Sequence, residues 1–322
     1  MNEDARSGTA PETTWAIRFH ETGGPEVLRW EEAPLEAPGE GEVRLRHTAI
    51  GLNYSEIGSR RGGGGAAAIS GLPLIPGREA AGVIEALGPG VRDFEEGDRV
   101  AYGLRRRHGA DAERRNIEAA ELVPVPGDMD DRTAAAIMVK GMTASYLLRK
   151  AYPAAAGRTV MVHAAAGGVG SILVQWAKHL GATVIGTVGS EAKARRILAL
   201  GCDHALNNRE GDFSDAVLDI TGGRGVDVIY DPVGRAVWEA SVKSLKTRGT
   251  LINFGNISGP IPPIDPHLLM ESGSIFVTKT ALRDFTRTRD EMLELCDALK
   301  DAARAHADLE AGKTTGSTVL LP

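Results

Sequence analysis

Cysteine is almost missing from this chain: Cys202 and Cys296 stand far apart in 322 residues and form no C-x-x-C pair. No disulfide framework can be built from them, and a reducing compartment is expected. Long apolar runs are missing too. The longest, Thr159 to Ala177, is broken by His163, Gln175, three glycines and Ser171, which makes it a poor membrane span. Positive charge is not in surplus: 37 basic against 43 acidic side chains leave a net charge of −6, so no global basic field draws nucleic acid or anionic lipid. The short basic runs Leu104 to His108 and Arg114-Arg115 read first as solvated faces, with RNA binding as the weaker alternative. The amino-terminal stretch MNEDARSGTAPETT is acidic and polar with no apolar core, so no secretory signal is visible and a cytoplasmic location is expected.

With 42% apolar and 25% charged residues, what remains is the composition of a globular protein. Glycine is the excess, about 12% of the chain against a usual 7%, and implies many tight turns or close backbone approaches to a ligand. From Trp15 to Val123, β-like pieces (TWAIRF, VLRWEEA, EVRLRHTAIGL, AAGVIEALG, DRVAYG) are separated by GGPE, APGEGE, GPGV and EEGD. That is the pattern of a small, largely antiparallel β domain. The run from Arg60 to Gly71 lacks periodicity and is expected to be a loop. After Pro126, two helical segments broken near Gly141 are expected, and then strands and helices alternate as far as TLINFG. The strands are continuous apolar runs, so this half is expected to be a doubly wound α/β domain.

Between one such strand and an amphipathic helix lies HAAAGGVG, with Gly167, Gly168 and Gly170. A pyrophosphate needs backbone N–H groups at a helix start with no side chain in the way, and this turn supplies both. A tight strand-to-helix turn is the bland alternative. An NAD site would end the second strand with a carboxylate for the ribose 2′-hydroxyl. Here Gly189, Ser190 and Lys193 follow that strand, which suits a 2′-phosphate, although Glu191 lies close by.

Ahead of the α/β half stands Gly77-Arg78-Glu79-Ala80-Ala81-Gly82. The layout resembles the medium-chain dehydrogenase/reductase superfamily, whose zinc alcohol dehydrogenases carry G-H-E-x-x-G at this point. Arg78 occupies the place of the histidine ligand, and the cysteine cluster of a structural zinc lobe is lacking, so no bound metal is expected. Along nearly its whole length the chain resembles the zinc-free quinone oxidoreductase, or zeta-crystallin-like, branch. The resemblance rests on GGPEVL, AIGLNY, VKGMTASYLLRKAY, HAAAGGVG, GTVGSEAKA, YDPVG, FGNISG and the tail DAARAHADLEAGKTTGSTVL.

That resemblance implies a GroES-like β-rich catalytic domain over residues 1–134, completed by 278–322, and a Rossmann NADPH-binding domain over 135–277. It also implies a homodimer. Carried over residue by residue, it places Asn53 and Tyr54 at the catalytic site and Tyr146 near the cofactor ribose or phosphates. It sets Gly167, Gly168 and Val169 at the pyrophosphate, and Gly189, Ser190, Lys193 and Asn208 at the 2′-phosphate. Val233, Phe254, Gly255, Asn256, Ser258 and Leu282 would line the nicotinamide end. There are departures. Gly58 and the run Gly62 to Ala68 stand where the branch has tyrosines near the substrate. Asn208 replaces a tyrosine, and Gly312 an arginine. About two dozen residues that the branch carries near Ala298-Leu299-Lys300-Asp301 have no counterpart. The expected activity is NADPH-dependent, metal-independent hydride transfer to quinones or related conjugated carbonyls. An enoyl or alkenal double-bond reductase and a redox-silent NADPH-binding protein are the alternatives.

Overall fold

The computed structural model describes residues 12–63, 71–103, 108–307 and 319–320. By internal contacts the chain divides into two compact units, Met1–Val139 with Thr318–Pro322, and Lys140–Ser317.

In the first unit, β1 (Thr13–Arg18) and β2 (Arg29–Pro34) form an antiparallel ribbon. A second sheet contains β3 (Glu42–Gly51), β4 (Glu79–Leu87), β5 (Arg99–Gly103), β6 (Arg114–Glu118), β7 (Val123–Pro124) and β14 (Val319–Leu320). Its order is β14-β3-β4-β5-β7, with β6 also paired to β3, and every pairing is antiparallel. Val43, Leu45, Ile84, Val100 and Tyr102 meet in its core. The β3–β4 register shifts twice, between Arg44 and Leu45 and between His47 and Ala49. Such irregularities bend a strand and re-aim the residues beyond the bend.

Two expectations change here. Arg114 and Arg115 belong to β6 and are occupied within the fold: Arg114 Nε lies 3.0 Å from a Glu85 carboxylate oxygen, and the Arg115 guanidinium sits 5.4 Å from the centre of the Tyr102 ring. Leu104 to Arg107 and residues 64–70 lie outside the described residues. The helix Asp131–Tyr146 runs unbroken through Gly141 and loosens into a π turn only at Leu147–Ala151. Gly141 is buried beside Met142. Packing there outweighs the roughly 1 kcal/mol that a helical glycine costs.

The second unit holds a six-stranded sheet of β8 (Thr159–Val162), β9 (Thr183–Val188), β10 (His204–Asn207), β11 (Val226–Asp231), β12 (Leu245–Asn253) and β13 (Phe276–Lys279). Its order is β10-β9-β8-β11-β12-β13, parallel throughout. Counted from β8 this is 3-2-1-4-5-6, the doubly wound order in which ligands bind beyond the carboxyl ends of the strands. All six residues of β11 are buried, as expected of a central strand covered on both faces.

Candidate functional site

At the carboxyl end of β8 the chain turns through Ala164 into the helix Gly168–His179. The turn is tight because Gly167 N–H donates to the Ala164 carbonyl at 2.8 Å. A Cβ on Gly170 would stand 2.3 Å from that same carbonyl oxygen, so only glycine lets the helix start this close to the strand. Gly168 is crossed by the buried Lys140, whose Cδ would lie 2.7 Å from a Cβ there. Gly167, Gly168 and Val169 thus form a backbone cradle with a lysine stem against it. Such a cradle fits a pyrophosphate.

β9 ends at Gly189, and Ser190 caps the helix Glu191–Ala199 by accepting the Lys193 N–H at 3.4 Å. The Ser190 hydroxyl keeps its own proton to donate. Glu191, a candidate ribose ligand by sequence, pairs with Arg195 on the next turn at 3.4 Å. Asn208 extends the sheet, its N–H bonded to Val188 O at 2.9 Å.

The ends of β11 to β13 form one connected network. The buried Asp231 carboxylate accepts the N–H groups of Val233 at 2.7 Å and Gly234 at 3.0 Å, and Asn253 Nδ2 at 2.9 Å. Asn253 Oδ1 in turn accepts from Lys279 Nζ, which also donates to Asn256 Oδ1 at 3.0 Å. Burial pulls the Lys279 ammonium below its usual range, and Asp231 opposes that shift. Gly255 packs on Pro232, whose carbonyl oxygen would stand 2.5 Å from an added Cβ. Ser258 donates to Val233 O at 2.8 Å and accepts from Ala236 N–H at 2.9 Å. Phe254 N–H is held by Asp231 O at 2.9 Å. Val233, Phe254, Gly255, Asn256 and Ser258 are therefore brought together. Leu282, half-buried, opens a 3-10 turn beyond β13, and Tyr146 is buried, stacked on Phe285 with 4.3 Å between ring centres, its hydroxyl 3.1 Å from Thr280 Oγ1.

In the first unit, β3 leads through Asn53 into the helix Tyr54–Arg60. Asn53 Nδ2 donates to Glu79 Oε1 at 3.1 Å and to Glu56 Oε1 at 3.3 Å. Glu79 is fully buried, and its other oxygen accepts the Val139 N–H at 2.6 Å. Tyr54, next to Asn53, is 57% exposed. On this helix and beside it lie groups whose charge is suppressed. Burial, reinforced by Asp111, pushes the Glu56 carboxyl up to about 8. Burial also raises Asp111 to about 7. Burial and the Arg78 charge push His108 down to about 4. Near neutral pH Glu56 is a protonated acid and His108 a neutral imidazole.

Glu56, Asp111, Lys140 and Lys279 carry no signal in the sequence. There each is an ordinary charged residue, and only burial distinguishes it. As for a metal, Arg78 has no lone pair to offer where a histidine ligand would stand. Among the described residues no group of three or more His, Cys, Asp or Glu is placed to hold an ion. The described residues do not fit a zinc site. No described helix is long and apolar enough to cross a membrane.

Residues 39–155 match the family described as alcohol dehydrogenase GroES-like domain, and residues 168–299 the family described as zinc-binding dehydrogenase. The chain is 42% identical to a 2-haloacrylate reductase of a Burkholderia species, over 95% of this chain and 98% of that protein. The aligned span, 329 positions, exceeds this chain's own 322 residues, so that relative carries residues with no counterpart here. A quinone oxidoreductase of Pseudomonas aeruginosa is 40% identical over 95% of this chain and 99% of its own length. A crystal structure of Escherichia coli quinone oxidoreductase complexed with NADPH superposes with a TM-score of 0.87 at 39% identity, covering 96% of this chain and all of that one.

Proposed function

The chain belongs to the quinone oxidoreductase branch of the medium-chain dehydrogenase/reductase superfamily, and from that membership we propose that it reduces quinones and related conjugated carbonyls with NADPH. The observation that carries this reading is the glycine cradle at the carboxyl edge of a 3-2-1-4-5-6 sheet, in a chain of which 95% is matched by a quinone oxidoreductase. When bound, NADPH supplies the hydride. Gly167, Gly168 and Val169 hold its pyrophosphate, with Lys140 alongside. Gly189, Ser190, Lys193 and Asn208 face its 2′-phosphate. Val233, Phe254, Gly255, Asn256, Ser258 and Leu282 line the nicotinamide end, which Lys279 steadies through Asn253 and Asn256. Tyr146 backs the site from the core. Asn53 and Tyr54 orient the acceptor.

With Arg78 where a histidine ligand would stand and no metal-holding group among the described residues, the acceptor's own electron deficiency must draw the hydride. Quinones and enones meet that condition, while simple ketones and alcohols do not. A second reading, reduction of a conjugated carbon–carbon double bond, is favoured by the protonated Glu56 and by the 2-haloacrylate reductase relative. Such a reaction must place a proton on carbon, whereas a reduced quinone takes its protons on oxygen, from water if need be.

The deciding experiment is steady-state NADPH oxidation with a naphthoquinone, a linear enone, an acrylate-type acid and, in reverse, a simple alcohol with NADP⁺. Efficient turnover of the quinone is expected. Efficient alcohol oxidation would sink the metal-independent mechanism, and tight NADPH binding without turnover of any acceptor would establish a redox-silent protein. A homodimer is supported by β13, which among the described residues has a neighbour on one side only, and by exposed Phe276, Met270 and Leu268 on and before that strand. The two buried cysteines, Cys202 and Cys296, form no disulfide, which suits a cytoplasmic location.

A further inference from the structure

We infer that Arg209 is a specificity residue for the cofactor, its guanidinium binding the 2′-phosphate together with Lys193 and the Ser190 hydroxyl; this rests on the NADPH reading above. The position is set by the backbone. Asn208 N–H pairs with Val188 O at 2.9 Å, so the residue after it leaves the sheet beside the end of β9. Asn207 Oδ1 then accepts the Arg209 N–H at 3.2 Å and fixes the turn. From there the side chain lies over Gly189: a Cβ on that glycine would stand 3.1 Å from Arg209 Nε and 3.6 Å from Cζ. Gly189 and Ser190 are adjacent, and Ser190 Oγ is bonded to the Lys193 backbone. The Arg209 guanidinium and the Ser190 hydroxyl thus lie at the carboxyl end of the second strand, with Lys193 in the first turn of the helix that follows. In this sheet order that is where the adenosine 2′ position is read.

The nearby carboxylates are committed elsewhere. Glu210, next in sequence, accepts from Asn207 Nδ2 at 2.6 Å. Glu191 pairs with Arg195, and Asp212 with Lys243 at 2.9 Å. Arg209 has no carboxylate partner among the described residues and is exposed. A guanidinium offers a planar fork that matches two phosphate oxygens, which a lone lysine cannot do. Asn208 stands where the related branch has a tyrosine, so the phosphate loses a hydroxyl donor in this chain and its neighbour Arg209 supplies the stronger one.

The test is calorimetric titration of the full chain with 2′,5′-ADP and 5′-AMP, and with NADPH and NADH, for wild type, Arg209→Met, Lys193→Met and Gly189→Ala. Arg209→Met is expected to weaken 2′,5′-ADP and NADPH by about 10- to 100-fold, as for loss of one charge-assisted bond. 5′-AMP and NADH should stay within about twofold of wild type on the same scale. Gly189→Ala, which pushes the guanidinium aside without removing it, should weaken the phosphorylated pair in the same direction. Unchanged 2′,5′-ADP affinity in Arg209→Met, with wild type still preferring it to 5′-AMP, overturns the role of Arg209 and leaves the NADPH reading standing. Equal loss for both nucleotides also overturns it, since the arginine would then act on the shared adenosine. A wild type with no preference for the 2′-phosphate overturns both.

Discussion

Glu56 shows how far burial can move a single carboxyl. It stands on a short helix, touches Asn53, and is held protonated because its own desolvation, reinforced by Asp111, disfavours the charge. The unfolded chain would ionise it near 4.5, the folded chain only near 8. Its contribution to stability is therefore complete below pH 4.5 and is lost as pH rises toward 8, with a slope of at most about 1.4 kcal/mol per pH unit. Glu56→Gln, which keeps an oxygen for Asn53 but cannot ionise, should unfold at higher urea than wild type at pH 8. The two should converge at pH 5. A constant difference across that range would show that the group does not titrate there. His47 works in the opposite direction. Buried between the Ala112 carbonyl at 2.6 Å and the Tyr102 hydroxyl at 2.9 Å, it is pushed down to about 3 by burial. Its contribution is present above its unfolded value of 6.5 and is lost as pH falls toward 3.

Elements place these residues, and the element that matters most is the turn after β8. Its two inner glycines are needed for different reasons. At Gly170 an added methyl would meet backbone, the Ala164 carbonyl at 2.3 Å, while at Gly168 it would meet the Lys140 side chain at 2.7 Å. Backbone cannot step aside cheaply, but a lysine stem can. Gly170→Ala should lose about 1–3 kcal/mol of stability in urea and bind NADPH poorly. Gly168→Ala should keep most of its stability and lose chiefly cofactor affinity. Equal unfolding midpoints for the two variants would argue against this division. Much of the turn was legible beforehand, since Gly167, Gly168 and Gly170 follow an apolar strand and precede an amphipathic helix. The helix through Gly141 and strand β6 were not, because their form depends on partners remote in sequence: a buried face for the first and β3 for the second.

At the scale of the molecule, β13 leaves one edge of the parallel sheet without a strand beside it among the described residues, with Phe276 60% exposed. Open edges carrying apolar side chains are templates for pairing. The homodimer reading predicts that Phe276→Glu lowers the mass measured by light scattering from two chains to one, with the NADPH affinity of the surviving monomer little changed. A wild type that runs as a monomer at micromolar concentration would remove the basis for it.

The division of labour is written along the chain: a β-rich half rich in turns, an α/β half built of apolar strands, and a glycine turn with the form of a phosphate cradle at the start of the second. Each is a local pattern of period, turn chemistry or missing side chain, and such patterns survive without knowledge of neighbours. Arg78 in place of a histidine was legible for the same reason, since a residue type can exclude a metal bond wherever it sits. Only the tertiary structure decided which charged residues matter. Glu56 became an acid through desolvation reinforced by Asp111, Lys279 a clasp on the Asn253 to Asn256 loop, and Arg209 a guanidinium lying over Gly189. Charge, protonation and reach depend on what the folded chain brings within a few ångströms, and that proximity is not encoded at any fixed spacing along it.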